Sequence, residues 1–183
     1  EDIVVLDADL SSSTKTNIFA KKYPDRFFNV GIAEQNLITQ ACGLSLTGKK
    51  AYVSSFAMFA TGRAWEQIRN TLCYNDLDVK IVATHCGLTV GEDGASHQAL
   101  EDIAIMKAIP NMMIYSPCDA FETKKILEFS LSYNKPMYIR LSRCDVYDVL
   151  DNQNHFNPYK AYTLLEGNDA TIISTGEFSY NAI

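Results

Sequence analysis

Short runs rich in Val, Ile and Tyr return along the chain, separated by stretches of helical period, and this alternation restricts the fold more than any other feature of the sequence. A strand, a helix and a further strand close most simply as a βα unit of a parallel sheet. The runs predict strands at Ile3–Asp7, Arg26–Val30, Ala51–Ser55, Val79–Thr84, Met112–Tyr115 and Met137–Leu141. Helices are expected near Ser13–Lys22, Ala33–Leu46, Phe59–Cys73, Gln98–Ala108 and Asp119–Ser132. Val79-Lys-Ile-Val-Ala83 is nearly continuous in apolar character, the pattern of a strand covered on both sides. The expected fold class is α/β, a mostly parallel, buried sheet flanked by helices on both faces. Pro110, Pro117 and Pro136 fall at element boundaries, where a missing N–H does least harm.

Periodicity fades between about Cys144 and Lys160. The expected organisation is one domain over 1–148, a linker over 149–160, and the start of a C-terminal α/β domain over 161–183 with a strand-like run at Ala170–Thr175. A first residue that is Glu1 rather than Met fits an excised or partial chain. The net charge of -6 and pI near 5.0, without a basic stripe, argue against nucleic-acid and membrane-surface roles. No apolar run approaches the roughly 18 residues that span a bilayer, and no signal peptide is visible. Five cysteines, odd in number and without a C-x-x-C pair, fit reduced thiols in a cytoplasmic protein better than a disulfide framework or a zinc site.

In an open parallel sheet, ligands bind beyond the carboxyl ends of the strands. Asp7 and Asp9 follow the first expected strand, Glu34 the second, Phe56 and Phe59 the third, His85 the fourth and Arg143 the sixth. At 3.6 residues per turn Glu34 shares the apolar arc of its helix with Leu37, Ile38, Ala41 and Cys42, while Gln35, Asn36, Thr39 and Gln40 form the polar side. A first-turn Glu can merely complement the helix dipole, worth about 0.3–1 kcal/mol. One on an apolar arc, beside the Phe56 and Phe59 pair, also suits a planar nitrogen heterocycle. The loop from His85 to His97 carries glycines at 87, 91 and 94 and holds Glu92 and Asp93 between its histidines. Its length favours a functional loop over a surface excursion. It lacks the Lys-Ser/Thr ending of a P-loop, and its histidines lack zinc-ligand spacing. A thiol nucleophile at Cys86, adjacent to His85, is disfavoured because adjacent residues rarely aim at each other. Arg143 is either a surface charge or an anion fork, and its place at a strand's carboxyl end favours the fork.

These segments resemble the pyrimidine-binding domain of transketolase from about Ala8 to Asp148. The motifs are Ala8-Asp-Leu-Ser-Ser-Ser13, Gly31-Ile-Ala-Glu-Gln-Asn36, Ser54-Ser-Phe-Ala-Met-Phe59, Val90-Gly-Glu-Asp-Gly-Ala-Ser-His-Gln98 and Leu141-Ser-Arg143. The resemblance implies a thiamine diphosphate-binding fold and transfer of a two-carbon ketol group between sugar phosphates. It implies that Glu34 hydrogen-bonds N1′ of the cofactor's aminopyrimidine, that Phe59 stacks on that ring with Phe56 beside it, and that Asp9 lies near the thiazolium. His97 would sit by the 4′-amino group and the reacting carbons, and Asp93 would contact a sugar hydroxyl. His85, Arg143 and Ser13 would hold the sugar phosphate, and His85 and His97 would also move protons. A further phosphate-binding Arg of the family would lie upstream of Asp2. Glu92-Asp93-Gly94 lacks the first Gly of the family's Gly-Asp-Gly motif, and no Asn follows at a suitable distance. The diphosphate and its Mg2+ or Ca2+ therefore belong to a separate diphosphate-binding domain or subunit, in a homodimer or α2β2 assembly. This chain alone would be inactive and would hold no metal. Gly62-Arg63 departs from the commonest family sequence after the stacking Phe. A 1-deoxyxylulose-5-phosphate synthase-like enzyme is the nearest alternative, followed by the E1 β chain of 2-oxo acid dehydrogenases, and a non-catalytic assembly module is the alternative of another class. His85, Glu92 and Leu141-Ser-Arg143 fit transketolase better.

Overall fold

The computed structural model describes residues 2–150 and 156–183. Its sheet contains β1 (Ile3–Asp7), β2 (Phe27–Asn29), β3 (Lys50–Ser54), β4 (Val79–Ala83), β5 (Met113–Tyr115) and β6 (Met137–Arg140). The spatial order is β2-β1-β3-β4-β6-β5. Every pairing is parallel, with Val5 opposite Phe27 and Tyr52, and Ile81 opposite Val53 and Tyr138. The connections are made by α1 (Ser11–Thr14), α2 (Thr16–Lys22), α3 (Glu34–Leu46), a helical stretch over 58–73 that contains α4 (Trp65–Gln67), α5 (Asp102–Lys107) and α6 (Ala120–Ser130). Within 58–73, two wide π turns, Met58–Arg63 and Ile68–Cys73, flank α4.

The apolar arc read in α3 is the one that packs. Leu37, Ile38, Ala41 and Cys42 are buried against Val4 and Leu6 of β1 and Val53 of β3, while Gln35, Asn36, Thr39 and Gln40 are exposed. Each fully buried Leu or Ile stabilises this layer by about 1.5–3 kcal/mol relative to exposure. Trp65 donates from its indole N–H to the carbonyl of Ile105 at 3.0 Å, tying α4 to α5. On the opposite sheet face, α6 begins at Asp119, whose Oδ1 accepts the Glu122 amide at 2.8 Å. Glu122 accepts the Cys118 amide in return at 2.7 Å, much as in a capping box. Oδ2 of Asp119 accepts from the amides of Val149 and Leu150, pinning the segment after β6.

Several expectations change. The helix expected from Ser13 breaks at Lys15, which takes φ 65° and separates α1 from α2. The helix expected from Gln98 starts only at Asp102, because residues before it stay with the glycine-rich loop. The sheet is not evenly covered. Between α2 and α6 the face over β1, β3 and β4 lies open as a groove of about 860 Å³ lined by Ile3, Val5, Tyr52, Val82, Phe19 and Leu127. Ala170–Thr175 forms no strand, having no neighbouring strand to pair with, and Ile172 and Ile173 are exposed. The chain ends in α7 (Ser179–Ala182). The linker expected at 149–160 falls partly on 151–155, outside the described residues. Among the described residues, no helix is long and apolar enough to cross a membrane.

Candidate active site

From β1 the chain moves outward to β2, and from β3 it moves the other way to β4. The connections diverge between these neighbouring strands and leave a crevice at their carboxyl ends. Asp7 is absorbed there by structure: its carboxylate accepts from the Leu10 amide and from the hydroxyls of Thr14 and Thr16. Asp9 remains at the edge with φ 67°, a left-handed conformation that costs a non-glycine residue roughly 1–2 kcal/mol. It accepts from the side-chain amide of Asn29 at 2.9 Å, and Asn29 accepts from the Gly31 amide at 3.0 Å. Asn29 thus links Asp9 to the turn that launches α3. Its place two residues before Gly31 was the available signal.

Glu34 is the first residue of α3 and only 7% exposed. Its carboxylate has no hydrogen-bond or ion-pair partner among the described residues. Its oxygens are not among the buried polar atoms left without a partner, so they keep some contact with water in this chain alone. Beyond β3 the ladder continues: the Thr84 amide donates to the Ser55 carbonyl and the Ala57 amide to the Thr84 carbonyl, so the pairing carries Phe56 to His85. The rings of Phe56 and His85 stack with centroids 3.8 Å apart. Phe59, inside the first π turn, lies 6.3 Å from Phe56 and meets His97 edge-on at 5.0 Å. Phe56, Phe59, His85 and His97 therefore form one aromatic cluster from two connections. Wide turns of this kind recur at functional sites.

His85 also takes a left-handed conformation, φ 60°. Its Nδ1 lies 2.9 Å from the Thr84 hydroxyl, and Nδ1 of His97 lies 3.0 Å from the Ser96 hydroxyl. Burial holds the His85 pKa below its ordinary 6.5, Arg143 and His97 lower it further, and Asp93 opposes them. Arg143, Asp93 and His97 are thus the charged and titratable groups that act on this imidazole. Gly91, at φ +71, is the point of closest approach: a Cβ there would stand 2.6 Å from Nη1 of Arg143. Arg143 and Asp93 are exposed. Ser13 is exposed on α1, and no contact joins its side chain to Arg143 or His85 among the described residues. The Cys86 thiol is buried and pushed up to about 12, which makes it a poor nucleophile. Among the described residues, no three His, Cys, Asp or Glu side chains converge as metal ligands.

One crevice edge thus carries a mostly buried glutamate, a flat aromatic wall and an imidazole of lowered pKa, with the exposed Arg143 guanidinium against Gly91. A family model described as transketolase, pyrimidine binding domain, matches residues 1–148. The chain is 55% identical over 179 residues to a putative transketolase C-terminal section of Methanocaldococcus jannaschii, covering 97% of this chain and 57% of that protein. It is 40% identical over 183 residues to one subunit of an apulose-4-phosphate transketolase of Phocaeicola vulgatus, covering 100% and 59%. A solved split gene transketolase, described as an inactive beta4 tetramer, superposes with TM-score 0.88 at 51% identity over 99% of this chain and 58% of that one. The chain thus spans less than two thirds of these relatives.

Proposed function

The chain belongs to the transketolase family through its pyrimidine-binding domain, and from that premise we propose that it supplies the pyrimidine-binding half of a thiamine diphosphate-dependent site transferring a two-carbon ketol group between sugar phosphates. The observation that carries this reading is Glu34, buried at a helix start and without a protein partner among the described residues. Thiamine diphosphate supplies, when bound, an acidic ring carbon that adds to ketoses once deprotonated. Glu34 would hold a proton at N1′ of the aminopyrimidine, which favours a basic nitrogen at the 4′ position. Phe59 and Phe56 would form the flat wall against that ring, and Asp9 the acidic edge toward the thiazolium.

His85 is suited to accept a proton or a hydroxyl hydrogen bond, because its lowered pKa keeps it neutral near pH 7. His97, in edge contact with Phe59, would sit by the 4′-amino group and the reacting carbons. Arg143 has the fork geometry for a sugar phosphate, and Asp93 and Ser13 would take substrate hydroxyl and phosphate contacts. The cofactor's diphosphate and its Mg2+ or Ca2+ would be held by a partner chain or domain. The family's split members, one of them named as a single subunit of a transketolase, support this reading. An assembly of homodimeric or α2β2 type in the cytoplasm, serving pentose phosphate interconversion, is the corresponding setting.

The deciding experiment mixes the chain with a diphosphate-binding partner chain carrying a Gly-Asp-Gly motif and measures ketol transfer from a ketose phosphate. Activity in the mixture and in neither chain alone is expected. Turnover only with pyruvate as donor would instead indicate a 1-deoxyxylulose-5-phosphate synthase-like enzyme. No turnover despite cofactor binding would indicate a non-catalytic module.

A further inference from the structure

The loop between β4 and α5 carries His85, Asp93 and His97, yet much of it is exposed and its secondary structure amounts to isolated turns and bridges. Its ends are held more firmly. The Cys86 amide donates to the Leu141 carbonyl at 3.1 Å, and the Gly87 amide to the Ala99 carbonyl at 3.0 Å, so the loop closes on itself beside the end of β6. Three residues after Ala99 comes Asp102, the first residue of α5 and 2% exposed. Its Oδ2 accepts from the Tyr138 hydroxyl and from Nε of Arg140, both at 2.7 Å. Tyr138 and Arg140 lie on β6, the strand that runs into Leu141-Ser142-Arg143. The Arg140 guanidinium also reaches the loop's start, since a Cβ at Gly87 would stand 3.5 Å from its Nη2.

We propose that Asp102, through Tyr138 and Arg140, is a positioning residue that fixes the histidine-bearing loop relative to Arg143, and so sets the spacing between the reacting centre and the phosphate end of the substrate. The inference rests on the ketol-transfer reading of the site. Asp102 is buried below the edge and touches no candidate catalytic group, so any effect on turnover must pass through the loop. The arrangement is a weak one if stability is its only purpose. Oδ1 of Asp102 is buried without a partner among the described residues, and a buried ion pair often stabilises no more than apolar side chains of the same volume. What it does provide is a fixed register, because one carboxylate oxygen joins the far end of the loop to residues two apart on one face of one strand. Burial, reinforced by Asp102, pushes the Tyr138 hydroxyl well above its ordinary range, so it stays a donor throughout the working pH range.

The test uses the full-length chain assembled with its diphosphate-binding partner and compares wild type with Asp102→Asn and Tyr138→Phe. Hydrogen exchange is followed over residues 87–99, together with thiamine diphosphate affinity by calorimetry and KM and kcat for phosphorylated and non-phosphorylated donors. In Asp102→Asn, exchange over 87–99 is expected to rise about five-fold or more relative to β1 and β3. KM for the phosphorylated donor should rise about ten-fold, with a smaller loss of cofactor affinity, because Glu34, Phe56 and Phe59 sit on other elements and only the rings of Phe56 and Phe59 lean on the loop's histidines. Tyr138→Phe, which removes one hydroxyl, should show the same pattern more weakly, and it carries the exchange test if Asp102→Asn does not fold. Exchange that rises uniformly across the sheet with cofactor affinity lost in parallel, or exchange over 87–99 that stays at the wild-type rate, overturns the proposal. A wild-type assembly without ketol transfer overturns the functional reading instead, while the exchange comparison still decides whether Asp102 holds the loop.

Discussion

The imidazole of His85 lies flat on the ring of Phe56, centroids 3.8 Å apart and planes 20° from parallel. The backbone at His85 is left-handed, so the ring reaches this position only because the surrounding strand pairing holds it there. Burial disfavours the charged form, as do Arg143 and His97, while Asp93 favours it. The folded-state pKa is therefore below 6.5, and the unfolded chain binds more protons in the window between the two values. Stability should fall as pH drops below 6.5 through that window. The NMR titration midpoint of His85 is expected below 6.5, and His85→Gln should reduce the acid sensitivity of thermal unfolding. A midpoint at or above the free-histidine value contradicts the site's electrostatics.

Glu34 is held for function more than for stability. Its oxygens are not among the buried polar atoms left without a partner, so in this chain alone the side chain carries little beyond the helix-dipole contribution of about 0.3–1 kcal/mol. Glu34→Gln should therefore change stability by no more than about 1 kcal/mol, read as a melting shift of about 2–4 °C per kcal/mol. In the assembled enzyme the same substitution should lower kcat by about a hundred-fold or more. A variant that is both less stable and fully active would mean that Glu34 serves α3 alone.

Arg143 is expected to act on the phosphate of the substrate. Arg143→Ala should raise KM for phosphorylated donors about ten-fold or more, ~1.4 kcal/mol, while non-phosphorylated donors change little. Equal losses for both donors would remove the phosphate role.

Gly91→Ala tests the same contact from the other side. The added Cβ would stand 2.6 Å from Nη1 of Arg143, the movable end of a long side chain, so the side chain should yield before the loop does. The backbone strain at φ +71 adds roughly 1–2 kcal/mol. The expected result is a partial copy of Arg143→Ala in KM, with a modest melting shift. Wild-type KM with a large stability loss would show that Arg143 does not need its present position.

The sheet and the α3 face were legible because periodicity reports burial directly: strand bounds agree within two residues at each end, and the buried side of α3 is the one its spacing predicts. The convergence of Phe56, Phe59 and His85 followed from strand-end logic, whereas His97 was marked only by the glycine-rich loop that carries it. Other features depend on contacts distant in sequence and leave no local period. Asp102 falls inside the helix expected from Gln98 and gives no local sign of its partners; only the pairing of β4 with β6 brings Tyr138 and Arg140 to it. Lys15 gives no sign that it takes a left-handed conformation. The strand pattern at Ala170–Thr175 was real as a pattern, but a strand also needs a neighbour.

Lys80 shows the same long-range logic at the amino end of the sheet, away from the site. It is the one charged residue in the otherwise apolar run of β4, and it is buried with its neighbours, 0% exposed. Its ammonium donates to Asp78, to the Tyr133 carbonyl at 2.5 Å and to the Lys135 carbonyl at 2.9 Å, using all three protons. Burial lowers its pKa, and the Asp78 bond opposes that shift. Lys80→Met keeps the volume of the stem but leaves two carbonyls and part of Asp78 without a donor, although Lys50 still reaches Asp78 at 3.1 Å. Removing one partner of a buried pair typically costs about 3–5 kcal/mol, and the remaining Lys50 contact favours the lower figure. Thermal or denaturant unfolding should therefore show a loss of about 3 kcal/mol, with thiamine diphosphate affinity and KM in the assembly unchanged. A loss below about 1 kcal/mol would mean that water replaces the ammonium at this end of the sheet.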